Sequence, residues 1–335
     1  MKAYLEGMLA DGESRLWVYE RNSDYVFRNI PENLASKRSY YTIRDNDGKE
    51  SDQVEKQLSQ AIEGPGIQLL RLLAKKDSHQ LKWPERIQIS AFIAVQELRV
   101  PFAREQLENL MHGITTSFIN STLKTPGLIE NAINEMKITG KLEENISADS
   151  MRKAFSDGDV ELKMLPEASL MAMGHMLPLL IRTYAEMKWT ILMALEGEFV
   201  TSDNPVCRDY PITGTTEVGI VNPDLTIYFP ISQHRVLRLM HDREKQKKYF
   251  QLIHAGNKRD AWQLRKRTPE ISYQWCKQDE VDKICSLIIQ RAQRWIYSPS
   301  EKSSIINEFR GECVNLRMDY EIDKFGGLKS INKIS

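Results

Sequence analysis

Two short runs near the start of the chain carry strand formers. Arg15-Leu16-Trp17-Val18-Tyr19-Glu20 and Tyr25-Val26-Phe27-Arg28 flank Arg21-Asn22-Ser23-Asp24, and this is the pattern of a β-hairpin. The period then lengthens. Val54, Leu58 and Ile62 recur at helical spacing behind a cap at Ser51 or Asp52, and Gly64-Pro65-Gly66 is expected to break that helix. A second amphipathic stretch runs from Ile67 to Lys75. Pro84 suits the first turn of a long helix bearing Ile87, Ile89, Ala91, Ile93, Ala94 and Leu98. Pro101 kinks or ends it before Phe102, Leu107, Leu110 and Met111 resume the pattern.

A short helix is expected at Leu128–Met136, and residues 141–158 read as a surface excursion. Pro166–Leu195 is the most apolar helical pattern, with Pro178 bending it. After Gly197 the β character returns, with strands expected at Phe199–Thr201, Leu225–Pro230 and Arg235–Met240. Ser232-Gln233-His234 suits an antiparallel connection between the last two. Helices follow near Glu244–Ile253 and Asp279–Ala292, then a strand at Arg294–Tyr297. Because the N-terminal hairpin needs strand partners, the fold class is α+β. The expected architecture is a helical body with a small, mostly antiparallel sheet built from the N-terminal hairpin and strands of the C-terminal half. One domain over residues 1–335 is expected, with residues 299–335 as a peripheral tail.

Composition adds limits. Of 335 residues, 41% are hydrophobic and 27% charged, a balance that supports a core without staples. Cys207, Cys276, Cys285 and Cys313 form no CxxC pair and have no histidine at zinc-like spacing, so they read as reduced thiols. The longest apolar stretch, Ala168 to Ile181, falls short of the roughly 20 residues that span a bilayer. Met1-Lys2 is followed by Glu6 with no apolar segment of signal-peptide type. The expected compartment is the cytoplasm, with no membrane partner.

Formal net charge is zero, yet Arg235 to Arg267 holds eleven Lys/Arg against Asp242, Glu244 and Asp260, an excess of eight. Such a field attracts phosphates. Tyr249, Phe250 and Trp262 are interleaved with it. One reading is a cationic surface with stacking aromatics for nucleic acid. The other is a solvated helix face with its aromatics turned inward.

Several segments, in order, resemble the bacterial domain-of-unknown-function family 4238. They are Gly12-Glu13-Ser14-Arg15-Leu16-Trp17-Val18-Tyr19, Ser39-Tyr40-Tyr41-Thr42, Ser51-Asp52-Gln53-Val54-Glu55-Lys56 and Glu63-Gly64-Pro65. Leu98-Arg99-Val100-Pro101, Thr201-Ser202-Asp203-Asn204-Pro205, Tyr228-Phe229-Pro230-Ile231-Ser232 and Ala292-Gln293-Arg294-Trp295-Ile296-Tyr297-Ser298 follow. The resemblance implies a single soluble domain and brings no established activity. Relatives carry a His-Tyr-Val-Pro-like segment just before the position of Tyr4-Leu5, whereas this chain has no histidine before His79. Any chemistry done by that histidine is expected to be missing here, or its codon to lie upstream.

Asp203 and Asn204, at the tip of a β-branched apolar entry, are the first candidate site. An ionised Asp can bind a metal or act as a base, and Asn can orient a substrate. Equally, both residues cap backbone N–H groups in turns. Glu55 and Glu63 lie two turns apart on a helix and could add metal-binding carboxylates beside Asp203. Glu97 and Arg99 sit in an apolar helix, where a charge needs a partner. A buried Arg99–carboxylate pair is one reading, and Arg99 with Arg104 gripping a phosphate or carboxylate beside Asp203 is the other. Lys258, Arg259 and Arg265 are the substrate-binding candidates of the basic run. His175 reads as a core residue, and His234, His241 and His254 receive no role. There is no Walker A loop, dinucleotide fingerprint, HExxH or GxSxG.

Two functions follow. The first is a phosphodiester-directed hydrolase acting on nucleic acid or nucleotide, with Asp203, Asn204 and Arg99 catalytic and a divalent metal as the conceivable cofactor. The alternative is a non-enzymatic binding or regulatory module with its basic surface at residues 243–267. Which of the two holds turns on whether Asp203 faces a cavity or caps a turn.

Overall fold

Strand-forming alternation at the N-terminus produces β1 (Leu16–Glu20) and β2 (Val26–Asn29), within one residue of the expected hairpin. The structure, a computed structural model, describes residues 1–34, 43–44, 50–51, 58–125, 127–140, 142, 146–157, 166–210, 219–220, 222–266, 268–310, 317–322 and 328–333. Glu55, Val54 and Cys313 lie outside these, as do the side chains of Arg104 and Arg265. Contacts group the chain into two compact units, Met1–Ala103 with Met173–Asn315, and Arg104–Ala172 with residues 316–334.

The larger unit begins with α1 (Lys2–Glu6), followed after the hairpin by α2 (Pro31–Leu34) and the short pair β3 (Ile43–Arg44) and β4 (Glu50–Ser51). A π-helical turn, Ser59–Glu63, then runs directly into α3 (Gly64–Lys75). The expected break at Gly64-Pro65-Gly66 therefore does not occur. Pro65 has no N–H for the Ala61 carbonyl four residues back, and Gln88 Nε2 donates to that carbonyl instead at 3.0 Å, while Gly66 lets α3 lie against α4 (Trp83–Leu98), where an added Cβ would come 2.7 Å from the Phe92 Cβ. Gly66→Ala is expected to lower stability by about 1–3 kcal/mol, read as a lowered denaturation midpoint. Pro101 does end α4, and α5 (Pro101–Lys124) starts on it.

Two sheets form where one was expected. The first has the order β2-β1-β11-β6 and is antiparallel throughout, with β6 (Thr201–Ser202) and β11 (Trp295–Ser298). The N-terminal hairpin thus finds its partner in the C-terminal half, in the register Trp17↔Ser298 to Glu20↔Trp295. The second sheet has the order β10-β5-β9-β8-β7. Its strands are β5 (Lys188–Ala194), β7 (Cys207–Asp209), β8 (Thr226–Ser232), β9 (Arg235–Met240) and β10 (Ile271–Cys276), and only β10–β5 is parallel.

The helix expected over Pro166–Leu195 is two elements. The helix, α8 (Pro166–Glu186), stops before β5, a central strand whose Trp189 to Met193 are all buried. An uninterrupted apolar run fits a doubly buried strand as well as a helix, and Trp189-Thr190-Ile191 carries the aromatic and β-branched residues that decide it. Arg86, fully buried, donates Nε to Ala185 O at 2.6 Å and Nη1 to Pro269 O at 3.3 Å, bonds Met187 O through Nη2, and lies 4.0 Å over the Trp189 ring. It satisfies carbonyls left open where the helix becomes a strand. The pattern predicts no strand at β10, since as an edge strand it buries only its end residues, Ile271 and Cys276.

After β9 come α9 (Arg243–His254) and α10 (Lys258–Lys266), and β10 leads into α11 (Gln278–Arg291). That last helix buries Val281, Ile284, Cys285, Ile288 and Ile289 in a cluster shared with Tyr19 and Ile296 of the first sheet and Leu192 and Val236 of the second. Ile306, in α12 (Ser303–Phe309), is fully buried in the same cluster. Burial pushes the thiol of Cys207 up to about 12 and those of Cys276 and Cys285 to about 11, so they stay protonated and poorly nucleophilic.

The smaller unit contains most of α5, α6 (Leu128–Ile138), α7 (Ala148–Ser156) and a hairpin of β12 (Arg317–Ile322) with β13 (Leu328–Lys333). Ser147 caps α7 by accepting from Ser150 N at 3.1 Å. Arg152 joins α7 to α6 through Glu130 at 2.6 Å. No helix among the described residues is long and apolar enough to cross a membrane.

Candidate functional site

The Thr201–Pro205 segment begins with β6 and meets the junction between α11 and β11. Asp203 N donates to Trp295 O at 3.0 Å. Its Oδ1 accepts from Gln293 N at 2.9 Å, and its Oδ2 accepts from Arg294 N at 2.9 Å and Trp295 N at 3.1 Å. Asn204 Nδ2 donates to Arg291 O at 3.0 Å, and Ser202 Oγ accepts from Asn204 N at 3.1 Å. The turn is a clasp, holding the end of α11 and the start of β11 through three charge-assisted bonds to one carboxylate. Tyr4 Oη lies 2.8 Å from Thr201 Oγ1 and its ring stacks on Phe229 at 5.1 Å, which fixes α1 to the entry of the same turn.

Arg99 and Glu63 are brought together, with Arg99 Nη1 2.6 Å from Glu63 Oε1. Gln96 Nε2 donates to the same oxygen at 3.3 Å. The pair is half-buried. Among the described residues no three of His, Cys, Asp and Glu gather as a metal site would require. Glu97, by contrast, pairs with Arg208 of β7 at 2.5 Å and accepts from the Tyr184 hydroxyl. Burial, and after it the Glu97 charge, holds the Tyr184 phenol well above its usual value, so it remains a donor. Sequence reading missed Arg208, whose only local signal is its place beside buried Cys207 in a three-residue strand.

The basic run divides by element. In β9, Arg235 bonds Asp77 and the carbonyls of Leu73 and Lys76, and Arg238 donates to Gln274 Oε1 at 2.8 Å. Most of the described cations of the helices face outward instead. Asp242 caps α9 by accepting from Lys245 N at 3.0 Å, and α9 buries no residue. Lys247, Lys248, Lys258 and Arg259 are exposed. So are two of the aromatics expected to turn inward, Phe250 at 57% and Trp262 at 58%. The hairpin of α9 and α10 contains only one fully buried residue among those described, Ala261, so its apolar side chains have little interior to enter.

Where α9 meets the end of α8 there is a cleft of about 410 Å³, within the range of ligand sites. Thr183 and Glu186 stand on one wall, His241, Gln246, Tyr249 and Phe250 on another, with Leu264 of α10 completing it. His241 Nε2 lies 2.8 Å from Ile220 O, an acceptor only, so Nε2 carries the proton and Nδ1 accepts from Gln246 Nε2 at 3.2 Å. Both ring nitrogens are engaged. His254 and His175 are exposed, the latter against the expectation of a core position, and His234 Nδ1 lies 3.3 Å from Gly197 O.

The class defined by this fold is an α+β protein with two mainly antiparallel sheets, a clasped turn between them and an outward basic hairpin. The family model described as protein of unknown function (DUF4238) matches residues 2–302, and the chain belongs to that family. No curated protein and no solved structure matches it.

Proposed function

We propose that the protein is a nucleic-acid-binding module that presents the α9–α10 hairpin to a phosphate backbone. The observation that carries this reading is the exposure of Lys247, Lys248, Lys258 and Arg259 beside the exposed rings of Phe250 and Trp262. Cations on one solvent-facing element supply sequence-independent attraction to phosphates, and aromatic faces supply stacking. Binding ranks ahead of hydrolysis because the Asp203 carboxylate already accepts three backbone N–H groups, which a catalytic base or metal ligand would have to relinquish.

The test is oligonucleotide binding across a salt series. Wild type is expected to bind with an affinity that falls steeply with salt. Reversing Lys247, Lys248, Lys258 and Arg259 to Glu together is expected to weaken binding about a hundredfold at low salt and flatten the salt slope by roughly 3. Unchanged affinity in that variant would sink the reading. Turnover of the oligonucleotide in Mg²⁺ or Mn²⁺ would overturn its non-enzymatic part.

A further inference from the structure

We infer that the nucleic acid is single-stranded and that the cleft beside Tyr249 and Phe250 receives one unstacked base, an inference that rests on the reading above. A second, shallower concavity of about 480 Å³ lies along α9, lined by Lys245, Lys247 and Lys248 with Asp242, Glu244 and Gln251. It shares Asp242 and Lys245 with the aromatic cleft, so the two are contiguous. Lys245 and Tyr249 are one helical turn apart, a rise of about 6 Å.

The chemistry of the two concavities differs in the way that the two ends of a nucleotide differ. The cleft offers the Tyr249 and Phe250 rings, whose centroids are 5.7 Å apart and nearly perpendicular, so one can stack on a base while its neighbour packs at the edge. Gln246, whose Nε2 is engaged by His241, and Glu186, whose Oε1 is paired with Arg182 at 3.1 Å, set polar groups on the same cleft toward the hydrogen-bonding edge of a base. The three lysines draw phosphate to the adjoining depression. A duplex keeps its bases stacked inside and could engage only the lysines. A lipid surface would meet the exposed rings but has no group for the polar walls of a cleft.

The experiment measures binding of a fluorophore-labelled single-stranded oligonucleotide, a duplex of equal length, and vesicles of mixed phosphatidylcholine and phosphatidylserine. The proteins are wild type, Phe250→Ala and the pair Lys247→Glu/Lys248→Glu. Single strands are expected to bind wild type at least about tenfold more tightly than duplex, and Phe250→Ala to remove most of that preference while leaving duplex binding unchanged. The lysine pair should weaken both forms. Phe250 is exposed, so its loss is not expected to unfold the protein, and an unchanged melting temperature verifies this. Equal affinity for the two forms, or single-strand binding indifferent to Phe250→Ala, overturns the base-binding inference and leaves the basic-hairpin reading standing. Absence of binding to either, or binding to vesicles alone, overturns both.

Discussion

Asp203→Ala is expected to destabilise the protein by about 3–5 kcal/mol, a large share of the stability of an ordinary domain. Three N–H donors at Gln293, Arg294 and Trp295 lose their acceptor in one substitution. Each donor left without a partner costs about 1–3 kcal/mol if water cannot replace the carboxylate, and partial solvent access to the turn keeps the sum below its maximum. Asp203→Asn keeps one acceptor oxygen and loses the charge, so about half the effect is expected. Denaturant midpoints measure both. If neither variant shifts the midpoint, the carboxylate is not a structural clasp, and its conversion to a catalytic or metal-binding role returns as the better account.

Arg86→Ala is expected to cost a comparable amount, about 3–5 kcal/mol. The guanidinium is fully buried and pairs with no carboxylate among its described bonds, which go to the carbonyls of Ala185, Met187 and Pro269. Burial pulls its pKa down to about 9, so it is still a cation at neutral pH. Its compensation is three carbonyl dipoles and the Trp189 face. Removing it strips those carbonyls at the α8–β5 junction and leaves a void beside Trp189. Arg86→Lys is expected to recover less than half of the loss, because one ammonium cannot span the planar fork of donors. Trp189 provides a local reading through near-ultraviolet circular dichroism, and a native spectrum and midpoint in Arg86→Ala would refute the account.

Elements with a clear local period were legible in the sequence. The β1–β2 hairpin, β9, α9 and α11 lie within one or two residues of where the pattern puts them. The α8–β5 boundary was not, because neither a proline nor a glycine separates Glu186 from Lys188 and the carbonyls there are satisfied by Arg86, a residue from a distant helix. The same limit applies to the clasp. Asp203 announces a turn locally, but the amides it accepts from belong to residues 293–295. For the candidate interface, counting charges found the hairpin. The outward direction of Phe250 and Trp262, and the contribution of Thr183 and Glu186 to the cleft, depend on how α9 and α10 meet the rest of their unit. No periodicity encodes that.

The strand order of the first sheet has a consequence for biosynthesis. β1 and β2 leave the ribosome long before β11, which pairs along the inner edge of β1 from about 275 residues further along the chain. At 5–20 residues per second the hairpin waits roughly 15–55 s with that edge unpaired. Its Leu16, Val18 and Tyr19, all fully buried in the finished fold, spend the interval without their core. A nascent chain in this condition is a natural client for a holding chaperone, and fragments ending before residue 295 should be far more prone to aggregate than the whole protein.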